Sequence, residues 1–105
     1  MRRKDEVGWA DPAVLILTSL AGGPKHGYAM TADIAEQAGV TLGPGTLYGA
    51  LSRLEERGFV QAMAGEQRRR PYRITAAGAA VLRERLTAMR SLAWTGLSRL
   101  DTATA

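Results

Sequence analysis

Apolar residues change their spacing several times along the chain, and each change predicts an element. Asp11-Pro12 offers an acceptor at a helix N-cap and a ring preset for the first turn. The run Ala13-Val14-Leu15-Ile16-Leu17, then Leu20, is apolar almost all round. Such a helix needs burial on more than one side, and a second subunit is expected to supply one of them. Gly22-Gly23-Pro24 ends it. From about Gly27 to Ala38, Met30, Ile34 and Ala38 form one stripe opposite Asp33, Glu36 and Gln37, with Gly39 as the closing residue. A third helix is predicted from Pro44 to Arg57. Leu47, Leu51 and Leu54 face the core; Thr46, Gly49, Ser52 and Arg53 face away, and Gly58 closes the helix.

Phe59 to Ala64 then reads as a strand, and Tyr72 and Ile74 share one face of a second. Between them Gly65 to Arg70 is a polar loop of hairpin length. Pro71 cannot donate to a ladder, which predicts an edge strand there. Thr75 caps a last helix reaching about Leu100, roughly 39 Å at 1.5 Å per residue. Leu82, Leu86, Met89, Ala93, Leu97 and Leu100 repeat at alternating spacings of four and three, a seam for a partner helix. Arg83, Glu84, Arg85 and Arg90 keep the other faces wet, and Asp101 to Ala105 reads as a frayed tail.

The elements predict a mainly α fold with a small β-hairpin. Residues 1–10 are an N-terminal segment, 11–75 a winged helix-turn-helix domain, and 76–105 a C-terminal dimerisation helix with a short tail. A helix-turn-helix followed by a basic hairpin is how a small domain places one helix in a DNA groove and an arm against phosphates.

Composition narrows the function further. The chain has 105 residues, 46% of them hydrophobic and 23% charged, as expected of one globular domain. No apolar run approaches the ~20 residues of a membrane span, and no signal-peptide core follows the basic start Met1-Arg2-Arg3-Lys4. The absence of cysteine excludes disulfides and thiolate metal sites and suits the cytoplasm. A net charge of +4 favours polyanionic partners. Between Val60 and Thr75 a single acid, Glu66, stands against Arg68, Arg69, Arg70 and Arg73. An enzyme is not expected. There is no thiol, no histidine–carboxylate pair at useful spacing and no phosphate-loop pattern; no metal or cofactor is implied, and His26 reads as a loop or helix-start hydrogen-bonding residue.

Three motifs, in this order and spacing, resemble the phenolic acid decarboxylase regulator (PadR) family of bacterial transcription factors. They are Gly-Pro-x-His-Gly-Tyr at 23–28, Pro-Gly-Thr-Leu-Tyr…Leu-x-Arg-Leu-Glu-x-x-Gly at 44–58, and Arg-Arg-Arg-Pro-Tyr-Arg-Ile-Thr-x-x-Gly at 68–78. The resemblance spans Val14 to Leu100. It implies a winged helix-turn-helix head and a homodimer made through the C-terminal helix. The short tail is similar to the compact branch of the family, which includes multidrug-sensing repressors. Members usually repress their targets and are released by a small molecule. Many short members carry, at the position of Met89, a tryptophan lining a dimer-interface pocket; this chain has Trp94 instead, more than a turn later.

Candidate residues follow from both lines. For double-stranded DNA they are Gly45, Thr46, Tyr48, Gly49, Ser52 and Arg53 on the recognition helix and Arg68, Arg69 and Arg70 on the wing. Thr46 and Gly49 would face bases, and small Gly45 and Gly49 permit close approach. The Gly43-Pro44-Gly45 turn presents amides able to hold a phosphate. The tyrosine at the place of Tyr48 contacts the operator backbone in the resembling family; a part-buried core tyrosine is the competing reading. Tyr28 reads as structural. Arg73 is read as either a phosphate contact or a strand ion pair. The dimer is assigned to Leu15, Leu82, Leu86, Met89, Ala93, Leu97 and Leu100. Trp9, Met89 and Trp94 are candidates for a small hydrophobic or aromatic effector, with tryptophans that simply seal the dimer interface as the competing reading. The sequence thus predicts a dimeric DNA-binding regulator that represses its targets, with a winged-helix protein-interaction module as the alternative.

Overall fold

Asp11 opens the first helix as its sequence predicts. Its carboxylate accepts from the Ala13 amide at 2.9 Å, and Pro12 fixes the first turn of α1 (Pro12–Ala21). This is a computed structural model, and it describes residues 11–66 and 69–104. Trp9 and Arg68, assigned above to an effector and to DNA, lie outside the described residues.

In α2 (Gly27–Ala38) the cap is His26, whose Nδ1 accepts from the Ala29 amide at 3.4 Å, and Gly39 closes the helix with φ 69°. Pro44 starts α3 (Pro44–Glu56) after a Gly43 N-cap that makes no side-chain bond. A short hairpin follows, β1 (Val60–Ala62) against β2 (Tyr72–Ile74), antiparallel with Val60 opposite Ile74 and Ala62 opposite Tyr72. The last element is α4 (Ala76–Thr104).

Two features depart from the sequence reading. Far from being an edge at Tyr72, β2 is paired on both sides. Lys25 and Tyr72 exchange backbone hydrogen bonds of 3.1 and 2.9 Å, which lays the α1–α2 link along the hairpin as a third, single-residue rung. The Lys25 ammonium also donates to the Ser19 and Gly23 carbonyls, satisfying the open end of α1. The second departure is the length of α4. It runs through the predicted tail because neither glycine nor proline interrupts residues 97–104.

The core explains why α1 is apolar all round. Ile16, Leu17 and Leu20 of α1 meet Met30 and Ile34, Leu47, Leu51 and Leu54, then Val60, Tyr72 and Leu82. Burying each such side chain stabilises by about 1.5–3 kcal/mol. Since α2, α3, α4 and β2 all pack on α1, its own head buries Val14, Ile16, Leu17 and Leu20 and leaves Leu15 half-buried. Leu82, expected on the dimer seam, lies in this core at 5% exposure, because the first turns of α4 cross α1. One polar link is buried with it: the Ser19 hydroxyl donates to Asp33 at 2.7 Å, tying α1 to α2.

Thr75 joins head to long helix. Its hydroxyl donates to the Gly58 carbonyl at 2.6 Å and accepts from the Gly78 amide at 3.0 Å. Gly78 lies against the Phe59 carbonyl so tightly that a β-carbon would overlap it.

Candidate nucleic-acid interface

Burial of Leu47, Ala50, Leu51 and Leu54 fixes the rotation of α3 about its axis. The same rotation leaves Gly45, Thr46, Ser52 and Arg53 exposed and Gly49 half-buried. Leu42, in the core, anchors the turn between α2 and α3. The outer face is therefore small and polar at its N-terminal end, a shape a groove floor can approach closely. Six sequence-predicted positions are brought onto one helix in this way, five of them on its open face.

Tyr48 is the sixth, set to one side. Its ring and hydroxyl lie across Gly27, where a β-carbon would sit only 2.8 Å from Cζ, and Leu47 Cδ2 is also near at 3.3 Å. The tyrosine is 42% exposed, so it is packed along one edge and open along the other. Tyr28, read above as structural, is 80% exposed. The helical period held the signal that was missed: at ~100° per residue Tyr28 falls about 200° from Met30 and opposite the buried stripe.

On the wing, Gly65 adopts φ 152° and the Arg69 amide donates to the Glu66 carbonyl at 2.9 Å, which turns the chain back toward β2. Arg69 is exposed. Arg70 is not presented in the same way. Its guanidinium lies 5.7 Å from the Tyr72 ring centroid and Nη2 donates to the Tyr72 hydroxyl at 3.5 Å, while buried Nε has no hydrogen-bond partner. The Tyr72 hydroxyl, by that hydrogen bond and then by its charge, raises the Arg70 pKa above the ordinary arginine value. Arg73 donates across the strands to Gln61, a structural bond between neutral and charged partners and not an ion pair.

Beyond the head, α4 carries Leu86 and Met89 at 38% exposure and Leu97 and Leu100 at 62%, with Ala93 exposed between them. Leu15 is half-buried on α1 beside Ile34 and Ala38. Trp94 is 71% exposed. Five residues separate it from Met89, about 140° round the helix, so a single protomer does not bring the two effector candidates to one face. A 560 Å³ groove instead opens where Ala21, Ile74, Leu82 and Leu86 meet Arg83 and Arg90. Among the described residues no cluster of side chains could hold a metal ion, and no helix is long and apolar enough to cross a membrane.

Comparison with known proteins places this architecture. Residues 16–84 match the Transcriptional regulator PadR-like family. Over 82 residues the chain is 44% identical to an "Uncharacterized 37.1 kDa protein in transposon TN4556" of Streptomyces fradiae, covering 78% of this chain and spanning 24% of that protein. It is 38% identical over 81 residues to the transcriptional regulator Rv3488 of Mycobacterium tuberculosis, covering 74% and 75% of the two chains. The fold is similar to that of a PadR family transcription regulator from Clostridium difficile, with TM-score 0.72, 26% identity and coverage of 80% of this chain and 92% of that one. The matched region runs from the middle of α1 through the wing into the first turns of α4. This chain belongs to the PadR-like family of transcriptional regulators.

Proposed function

We propose that two copies of this chain bind a pseudo-palindromic operator on double-stranded DNA and act as a cytoplasmic repressor. The observation that carries the reading is the open face of α3: Gly45, Thr46, Gly49 and Ser52 present small and polar groups beside an exposed Arg69 wing. Bases would be read from Thr46 and Ser52, with Gly49 allowing close approach and Arg53, Tyr48 and the wing arginines on the backbone. The second copy meets the first along Leu86, Met89, Ala93, Leu97 and Leu100, with Leu15 beside them. Dimerisation sets the two recognition helices about 34–36 Å apart, one turn of DNA. A small hydrophobic or aromatic effector, enclosed at the α4 interface beside Met89 and Trp94, releases the protein by favouring a head spacing out of register with the operator.

The test is titration of the full chain against its own upstream intergenic DNA and against random duplex, at several salt concentrations. Preference for the upstream DNA with a steep salt dependence is expected, since Arg68 and Arg69 of two wings would contribute about −3.6 to the slope of log K against log salt, with a smaller share from Arg70. No duplex binding even at low salt would overturn the reading and favour a protein-interaction module.

A further inference from the structure

Beside the recognition helix the fold gathers Arg53 with two cations, Arg57 and Arg85, that neither the helix-turn-helix nor the wing accounts for. Arg53 of α3, Arg57 at its C-cap and Arg85 of α4 line one shallow hollow of 190 Å³ together with Asp11, at the start of α1. Three arginines thus share the lining with one carboxylate. That carboxylate is already engaged, because Asp11 Oδ1 accepts from the Ala13 amide while Oδ2 stands 3.9 Å from Arg85. Arg53, Arg57 and Arg85 are all exposed, so the excess charge faces solvent.

The cluster is continuous with the face proposed to read bases. Thr46, Arg53 and Arg57 are seven and eleven positions apart, which returns each to within about 20° of one line along α3. Along that line Arg57 stands roughly 16 Å beyond Thr46. The major groove is about 12 Å wide, so a helix with its first turn on the bases brings that end to the groove's phosphate lip. The wing arginines follow β1 and form a separate contact.

We propose that Arg57 and Arg85, continuing from Arg53, form a second clamp on the DNA backbone, and that Asp11 weakens it by holding Arg85. The assignment rests on the reading of α3 as the DNA-facing helix. The ligand chemistry is the backbone phosphodiester, so the clamp adds affinity without choosing sequence.

Arg57→Gln and Arg85→Gln, singly, keep the side-chain length and remove the charge. Each is expected to make the salt slope shallower by about 1.8 in a dimer, ~0.9 for each phosphate released, and to weaken upstream and random duplex by the same factor. Asp11→Asn retains a good helix cap and removes the competing charge. It is expected to tighten binding about twofold per copy, the size of one unit charge acting over ~8 Å in water. A purely structural arginine cluster would not produce that gain. If the parent binds duplex while both glutamine variants keep its slope and their melting temperatures, the clamp is overturned and the regulator reading stands. If the parent binds no duplex at low salt, both fall together.

Discussion

Tyr48 lies across Gly27 so closely that a side chain at residue 27 would displace its ring and press on Leu47. The contact links the first turn of one helix to the exposed edge of the other. Gly27→Ala is expected to destabilise the head by about 1–3 kcal/mol, the range for overpacking a close contact. Adding Tyr48→Ala should restore part of that loss. A double-mutant cycle on urea midpoints measures the coupling; simple additivity of the two changes would show that the contact carries none.

Gly78 meets a harder neighbour. A β-carbon there would overlap the Phe59 carbonyl and stand 3.0 Å from Ile74 Cγ1, and backbone cannot move aside as a side chain can. Gly78→Ala should therefore cost about 3 kcal/mol, the upper end for overpacking. At ~4–8 °C for each kcal/mol in a domain this size, thermal melting would fall by more than 10 °C. Gly45→Ala, with nothing within 4 Å of its β-carbon, is the matched control and should change little.

The wing arginines are expected to separate. Arg69 is exposed, whereas Arg70 is stacked over Tyr72. Arg69→Ala should reduce the salt dependence of DNA binding by about 0.9 per copy with no change in stability. Arg70→Ala should cost about 0.5–1 kcal/mol of stability, the loss of a cation–π contact, with a smaller effect on the slope. Equal slopes for the two variants would show that DNA draws Arg70 off the ring.

Leu97 and Leu100 are each 62% exposed on α4. Replacing both by Glu should leave the melting of a monomeric head intact while sedimentation shows loss of the dimer. Operator affinity should then fall toward that of a single half-site. An unchanged sedimentation coefficient would place the dimer contact elsewhere.

Much of this was legible in local pattern. The stripes Met30–Ile34 and Leu47–Leu51–Leu54 determine which faces are buried because a helix repeats every 3.6 residues. Asp11, Gly39 and Thr75 marked helix ends because their side chains, or the lack of one, suit the unpaired groups there. The open face of α3, with Thr46, Gly49 and Ser52, followed as the complement of the leucines.

Other features were decided only when distant segments met. Leu82 belongs by spacing to the α4 seam, yet the packing of α4 on α1 buries it in the head. Arg70 sits in a run of three arginines that the sequence cannot distinguish, and the return of β2 puts Tyr72 under one of them. Lys25 pairs with Tyr72, 47 positions away, and the hollow holding Arg57, Arg85 and Asp11 is assembled from three helices. Periodicity and capping are properties of neighbours in the chain, so the sequence by itself determined the elements and their buried faces, and its three motifs at 23–28, 44–58 and 68–78 carried the family resemblance. The pairing of β2 on both sides, the seating of Tyr48 on Gly27 and the gathering of cations beside α3 depend on contacts between segments far apart in sequence. Those were decided by the tertiary structure alone.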